Sequence, residues 1–536
     1  MRGRSIVLFF KNGSYNKMMK SKVYANTSIV TGLSVAERGL GFLYRIVLSR
    51  LIGAEGLGLY QVALSLFSLF LTVGTGGLPI TVSRMISKSK AERDARGERA
   101  AVGGGIVLSV LFTLPFCLLL WLFGEKMTFL FSDPRCFPVF RILLTGLTFS
   151  SVYAVIRGHF WGNKQFLAPS VLELLEEAVM VIAGVLLLRD VPTPAVGAEK
   201  AAWAVVISYA FSFTASLLYF FLQGGKLSSP KTALKPLFNA SLPITSVRAS
   251  GSLVNSAIAV LLPAMLIRAG LDETQALKLF GIVSGMVLPI LFIPSTLIGS
   301  LSLVLVPELS EDFYRKNFPR LRANLNRGLQ VSVWIACALI PFFFAFGKEI
   351  GALAYSNAQA GEMLKNSCLI LLPMSLTMIT TSMLNSMGFE KKTFSYYFVG
   401  AAAMLLCILF LPSVCGVYAY VIGLGINFVL NTVCNLVLLW KNKLIFQKEG
   451  GQVRVQGYLL PILFLFPLSL LGQLFSALCQ NVFGAVLCVL IPALSLALCT
   501  LVLYCITGLL PIRALFSLFK KKNQTENLPQ HENTGI

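Results

Sequence analysis

The stretch 56-GLGLYQVALSLFSLFLTVGTGGLPITVSR-84 holds no charged residue between Gly56 and Ser83 and opens into a basic loop, 84-RMISKSKAERDARGER-99. A helix rises about 1.5 Å per residue and needs about 20 apolar residues to cross the hydrocarbon of a bilayer. This stretch is long enough, and its side chains suit lipid better than water. The rest of the chain repeats the pattern. Of its 536 residues, 56% are hydrophobic and only 13% are charged, with a mean hydropathy of +0.77. A soluble protein carries roughly 25% charged residues. No water-soluble fold hides so much apolar surface, so the chain reads as an all-α polytopic membrane protein.

The length rule yields fourteen spans, at 24–51, 58–83, 102–123, 136–157, 165–188, 200–222, 241–267, 279–306, 328–347, 366–387, 394–412, 416–440, 457–478 and 482–508. The connecting loops orient them. Of the 45 Lys and Arg, 32 fall on one side, among them the N-terminus, the loops 84–99, 223–235, 314–327 and 441–454, and Lys520-Lys521-Lys522. The other side has 8: Lys126, Arg135, Arg189, Lys200, Arg268, Lys278, Lys348 and Lys365. Basic residues accumulate in cytoplasmic loops, so both ends are expected in the cytoplasm of a cell-membrane protein. The net charge of +22 then needs no nucleic acid to explain it. Residues 1–22 read as a basic cytoplasmic segment, because the run Ile6–Phe10 is too short for a signal peptide. The eleven cysteines form no CxxC pair and have only two histidines for company, so no disulfide framework, metal or cofactor is expected.

Three pairs of segments recur in order. They are 56-GLGLYQVALSLF-67 with 276-ALKLFGIVSGMV-287, 123-FGEKMTFLFS-132 with 346-FGKEIGALAYS-356, and 162-GNKQF-166 with 388-GFEKKTF-394. The offset covers six helices, an even number, so both halves share one orientation. That implies two six-helix lobes related by a pseudo-two-fold axis along the membrane normal, around a central cavity. The expected organisation is a first lobe over 23–222, a cytoplasmic linker over 223–240 and a second lobe over 241–440. A cytoplasmic loop over 441–456, two added helices over 457–510 and a polar cytoplasmic tail over 511–536 complete it.

Charges at the bilayer centre cost at least ~2.5–3.5 kcal/mol each, so each needs a reason. In 34-SVAERGLGFLYRIVLSR-50, Arg38 and Arg45 are seven residues apart and share a helix face, with Gly39 and Gly41 thinning the helix between them. Arg50 lies near the outer end, where it can snorkel to the interface. Arg248 is the repeat counterpart of Arg38, and Arg141 lies near the outer end of the fourth span. The fifth span, 171-VLELLEEAVM-180, carries Glu173, Glu176 and Glu177 on nearly one face. Two readings stay open. The carboxylates pair with Arg38 or Arg45 and hold helices together, or the arginines bind an anionic substrate while the glutamates gate or bind a coupling ion. Arginine suits a phosphate because its planar fork donates two hydrogen bonds and stays charged. In 74-GTGGLPI-80, Gly74, Gly76, Gly77 and Pro79 imply a broken helix and a candidate hinge, matched by Pro289, Pro294 and Gly299 in the eighth span. No Walker loop, HExxH or GxSxG is present, and His159 is the one histidine before the tail, so no catalytic residue is named.

The stretches 39-GLGFLYRIVLSRLIGAEGLGLYQ-61 and 77-GLPITVSRMISKSKAE-92 resemble the stage V sporulation protein B group, in the polysaccharide-transporter branch of the MOP flippase superfamily. The resemblance implies a flippase for a polyprenyl-pyrophosphate-linked glycan, such as lipid II, and a role in spore cortex peptidoglycan. It implies a cationic central cavity, with the last two helices forming a groove for the isoprenoid tail. It also implies that Arg38 and Arg45 fall in the helix carrying cavity arginines. The chain departs from those relatives at Leu71, Thr72 and Tyr44, where they have basic residues. The partners implied are the lipid-linked oligosaccharide, membrane lipids and envelope-synthesis enzymes. One alternative is a cation-coupled multidrug exporter, but three intramembrane arginines repel organic cations. Another is a non-transporting scaffold, which has no use for charges in the bilayer core. A membrane glycosyltransferase lacks a catalytic carboxylate in any sizeable outer loop.

Overall fold

The computed structural model describes residues 4–123, 128, 131–445, 456–480 and 487–507. Outside them lie the tail expected at 511–536, most of the loop at 441–456 and most of the repeat segment 123–132. Among the described residues every regular element is a helix. That follows from the solvent, since in lipid a helix satisfies each backbone N–H and C=O within its own segment.

The helices are α1 (Arg4–Thr75), α2 (Leu78–Ala91), α3 (Ala95–Phe123), α4 (Cys136–Thr145), α5 (Leu147–Gly162), α6 (Leu167–Leu187), α7 (Pro194–Leu222) and α8 (Lys231–Arg268). Next come α9 (Glu273–Gly281), a π-helical turn (Ile282–Val287), α10 (Leu288–Leu291), α11 (Ile293–Tyr314), α12 (Phe318–Tyr355), α13 (Ala358–Ser367) and α14 (Leu371–Ser386). The chain ends with α15 (Glu390–Phe410), α16 (Pro412–Cys415), α17 (Tyr418–Lys441), α18 (Gln456–Leu463), α19 (Leu465–Gln480) and α20 (Leu487–Ile506). Side-chain caps set several starts: Thr193, Asp272 and Asn357 accept from the N–H of Val196, Gln275 and Ala360.

Among the described residues twelve helices are long and apolar enough to cross a membrane, or thirteen if α4 and α5, bent by 42°, make one span. The difference from fourteen arises at three places. The first two spans run together as one helical stretch through a kink at Gly53, whose φ of 69° suits a residue without a Cβ. The eighth is divided at Phe292, between Leu291 and Ile293. The fifth, α6, carries three glutamates and so falls outside an apolar test. The helix at α1 also begins at Arg4, so the basic segment at its start is helical and continuous with the first span. α8 begins at Lys231, which makes part of the 223–240 linker helical.

The chain groups into two compact units, Met1–Pro289 with Leu405–Tyr420, and Ile290–Met404 with Val421–Ile536. In the first, α1 breaks at Gly76-Gly77 and α2 restarts with Pro79 in its first turn. The Gly77 N–H donates to Thr245 Oγ1 of α8 at 2.9 Å, and a Cβ on Gly77 would strike the Ser241 carbonyl. The first pair of repeat segments meets here: a Cβ on Gly58 would collide with Leu277 and Gly281, and one on Gly281 with Ala54 and Gly58. Glycine lets these two backbones touch. In the second unit, α18–α20 pack on α12. Trp334 Nε1 donates to the Gly457 carbonyl at 2.8 Å, and the Tyr504 hydroxyl donates to the Trp334 carbonyl at 3.2 Å.

Candidate functional site

The acidic face of α6 meets α1, α5 and α7 of the first unit in a cavity of about 230 Å³, lined by Glu37, Thr75, Ser150, Tyr153, Arg157, Glu173, Glu176, Glu177 and Tyr209. The spacing of α6 places its glutamates there: Glu173 and Glu177 stand one turn apart, with Glu176 alongside. Glycine brings α1 close, since a Cβ on Gly41 would lie 2.7 Å from Glu177 Oε1. Tyr44 packs over Gly184 of α6 in the same way, two turns along.

The ion pair in this cavity is Arg157 Nη1 to Glu173 Oε1, at 2.7 Å, with the two side chains 28% and 24% exposed. Arg157 is held from its other side by Trp161, whose ring centroid lies 5.0 Å from the guanidinium carbon. Glu176 lies against Ser212 and leaves Oε2 buried without a hydrogen-bond partner. Glu37 stands within electrostatic reach of Arg38, Arg157 and Glu173. Four carboxylates and one guanidinium leave the cavity formally negative. It can hold protons or a small cation, and it repels an anion.

The arginines named from sequence lie elsewhere. Arg38 and Arg45 are exposed on α1, and Arg248 is exposed on α8. None of the ion pairs among the described residues includes any of the three. Arg45 stands within electrostatic reach of Glu177 and Tyr60 without a contact pair. Arg248 lies one turn from Thr245 and one turn from Ser252. Its Cβ therefore leaves the side of α8 that meets α1 through the Thr72–Ser252 hydroxyl pair at 2.9 Å and the bond from Ser256 Oγ to the Ser65 carbonyl. Arg141, half-buried on α4, has an interaction of its own. Of the hinge residues, Gly74 abuts Thr113, Gly76 and Gly77 form the break, and Pro79 packs on Gly158.

Sequence reasoning missed Arg157 and Glu37. Arg157 is the last residue of the fourth span and counts there with the cytoplasmic charges. Glu37 stands beside the more conspicuous Arg38. One signal pointed to Arg157: three glutamates on one buried face demand a cation. Ahead of α4, Arg135 bridges Glu55 at 2.6 Å and Asp133 at 2.8 Å, and the Asp133 hydrogen bonds hold its guanidinium well above its ordinary pKa.

In the second unit α17 carries a buried polar run without charge. Asn427, Asn431 and Asn435 form a buried ladder on α17. Asn431 Nδ2 donates to Asn427 Oδ1 at 2.6 Å, and Asn435 Nδ2 donates to Thr380 and Thr381 at 3.0 and 3.1 Å.

The profile of the family described as "Polysaccharide biosynthesis protein" matches residues 23–313, more than half of the chain. The chain is 27% identical over 365 residues to stage V sporulation protein B of Bacillus subtilis, covering 65% of this chain and 70% of that one. It is 23% identical over 346 residues to the lipid II flippase MurJ of the same organism, covering 59% and 63%. Among solved structures it resembles a lipid II flippase MurJ in an inward closed conformation, with TM-score 0.69 and 14% identity over 90% of this chain and all of that one. It also resembles an inward-facing MATE multidrug transporter of the MOP superfamily, with TM-score 0.62 and 15% identity over 80% and 95%. The chain is a polytopic membrane protein of the polysaccharide biosynthesis protein family, with the fold of the MOP-superfamily transporters.

Proposed function

We propose that this chain is a flippase that moves a polyprenyl-pyrophosphate-linked glycan, lipid II or a related envelope precursor, across the cytoplasmic membrane, with both termini cytoplasmic. The names of its relatives support the substrate class, and the sporulation relative supports a role in the spore cortex. The observation that carries the reading is the separation of charges. The acidic face of α6 takes Arg157 as its partner, so Arg38, Arg45 and Arg248 stand outside the ion pairs of the described residues. Three such guanidinium groups facing one hydrated space suit a diphosphate. Each charge-assisted hydrogen bond contributes roughly 1.5–3 kcal/mol. The acidic cavity then serves as a gate or coupling site, and its small volume suits a proton better than a drug. Envelope-synthesis enzymes are the natural partners of such a protein.

Proteoliposomes offered fluorescent lipid II or a panel of lipophilic cations distinguish this reading from a multidrug exporter. Transfer of lipid II without cation export is expected. Cation export without lipid II transfer would overturn it. The orientation is tested separately with a single Cys at Ser229, which is exposed. An impermeant thiol reagent should leave it unlabelled in intact cells.

A further inference from the structure

Next to the acidic cavity, α1, α6 and α7 border a second and much larger space, an open groove. It measures about 1130 Å³ and is lined mainly by apolar side chains, including Val30 of α1, Phe166 and Val171 at α6, and Ala215, Leu218 and Leu222 of α7. The two spaces follow each other along one seam. On α1 the lining passes from Val30 to Glu37, on α6 from Leu172 to Glu173, and on antiparallel α7 from Ala215 to Tyr209. We propose that this seam binds an anionic phospholipid of the cytoplasmic leaflet, with an acyl chain in the groove and the phosphate at Lys164.

Three observations choose that occupant. The groove lies on the outward face of the helices: Phe166, Leu218 and Leu222 are 50%, 59% and 76% exposed, so in a membrane protein its neighbour is lipid. Its one charged residue among the described lining is Lys164, placed with Gln165 in the turn between α5 and α6. That turn belongs to the basic side of the chain, so the cation stands at the cytoplasmic interface and the apolar length runs inward. At the inner end the chain terminus would stop beneath Arg157 and Glu173, where a polar wall replaces the apolar one. A single lysine is a compact point charge, suited to a phosphodiester with one negative charge. A pyrophosphate is better held by paired guanidinium forks, and none lines this groove among the described residues. The groove and the proposed substrate site are therefore distinct in chemistry. The assignment rests on the proposed orientation but not on the flippase reading.

The test is lipid retention by the full chain. The protein is reconstituted in nanodiscs with equal phosphatidylglycerol and phosphatidylcholine, extracted gently, and its bound lipid measured by native mass spectrometry. Wild type should retain phosphatidylglycerol several-fold over phosphatidylcholine. Lys164→Glu, on an exposed turn, should abolish that preference, and Ala215→Trp, which fills the groove, should remove bound lipid of both kinds. Should Ala215→Trp fail to fold, Leu218→Trp fills the same groove from a more exposed position. Equal retention of the two lipids by wild type would overturn the proposal. So would undiminished retention in a folded groove-filling variant, or displacement of phosphatidylglycerol by polyprenyl phosphate added in the same amount.

Discussion

The two units bury polar groups in helices that face lipid, and they do so by opposite means. The first gathers Glu37, Glu173, Glu176 and Glu177 around one arginine, while α17 of the second lines up Asn427, Asn431 and Asn435, the last bonded to Thr380 and Thr381 of α14. In the second, Gly400 of α15 packs on this run, and a Cβ there would press on the Asn427 and Asn431 amides. Neutral hydrogen bonds between membrane helices are worth only about 0.6 kcal/mol on average, so the bonds from Asn435 to Thr380 and Thr381 join α17 to α14 at little risk. An ion pair is a different object. Its charges cost several kcal/mol to desolvate, and losing one partner leaves the other stranded. A structure that needed only cohesion would use the ladder twice. The charged version gives the first unit something that can change state.

The largest effect expected from breaking this contrast is at Arg157. Arg157→Ala strands Glu173 and should cost a few kcal/mol, toward the low end of the ~3–5 kcal/mol seen for broken buried pairs, because about a quarter of each side chain is exposed. A lower melting temperature in detergent and reduced membrane levels would register it. Adding Glu173→Gln removes the stranded charge and should recover most of the stability. If Arg157→Ala alone is as stable as wild type, the pair is not structural.

Next comes Arg38. Arg38→Ala should abolish transport while leaving the protein folded, since no ion pair among the described residues depends on it. Arg38→Lys keeps the charge but loses the fork, and should retain part of the activity. Losing one charge-assisted bond of roughly 1.5–3 kcal/mol corresponds to about a tenfold to hundredfold change in transport rate or affinity. The combination with Glu177→Ala sharpens the comparison with Arg157. A purely structural Arg38 would be rescued when both charges go, and a substrate-binding Arg38 would not. A smaller change should follow Gly77→Ala, whose added Cβ meets the Ser241 carbonyl. Transport should fall several-fold with insertion unchanged, because the break in the helix is disturbed and the apolar segments are not.

How much of this was legible beforehand follows from range. The apolar runs and basic loops report local solvent, so the all-α membrane class could be read directly. The helix break at Gly76-Gly77 was equally local, written in glycines and a proline. Pairing is not local. Nothing near Glu173 in sequence distinguishes Arg38 and Arg45 from Arg157 as its partner, and Arg157 sits where a helix end disguises it as a loop charge. The merging of the first two spans depends on one backbone angle at Gly53, which hydropathy does not record. The asparagine ladder escaped because single amides in an apolar helix leave mean hydropathy almost unchanged. Their spacing of four was visible, but spacing shows a shared face without showing what covers it.

The smallest effect tests the other side of the contrast. Asn431→Leu removes the amide donating to Asn427 Oδ1 and replaces it with a side chain of similar bulk that needs no partner. The bond lies within α17, so the expected cost is about 0.5–1.5 kcal/mol, the net worth of one intramolecular hydrogen bond. Chemical denaturation in detergent resolves a shift of that size, and transport should be unaffected. Asn431→Asp keeps the shape but introduces a charge with no cation among its described partners, so it should cost more, about 2.5–3.5 kcal/mol if the carboxylate stays ionised. The ordering of the two variants decides the point. A ladder that merely satisfies its own amides tolerates leucine and rejects aspartate. Should leucine abolish transport in a stable protein while aspartate preserves it, the second unit would hold a cation-responsive site of its own, and the division of labour between the two halves would fail.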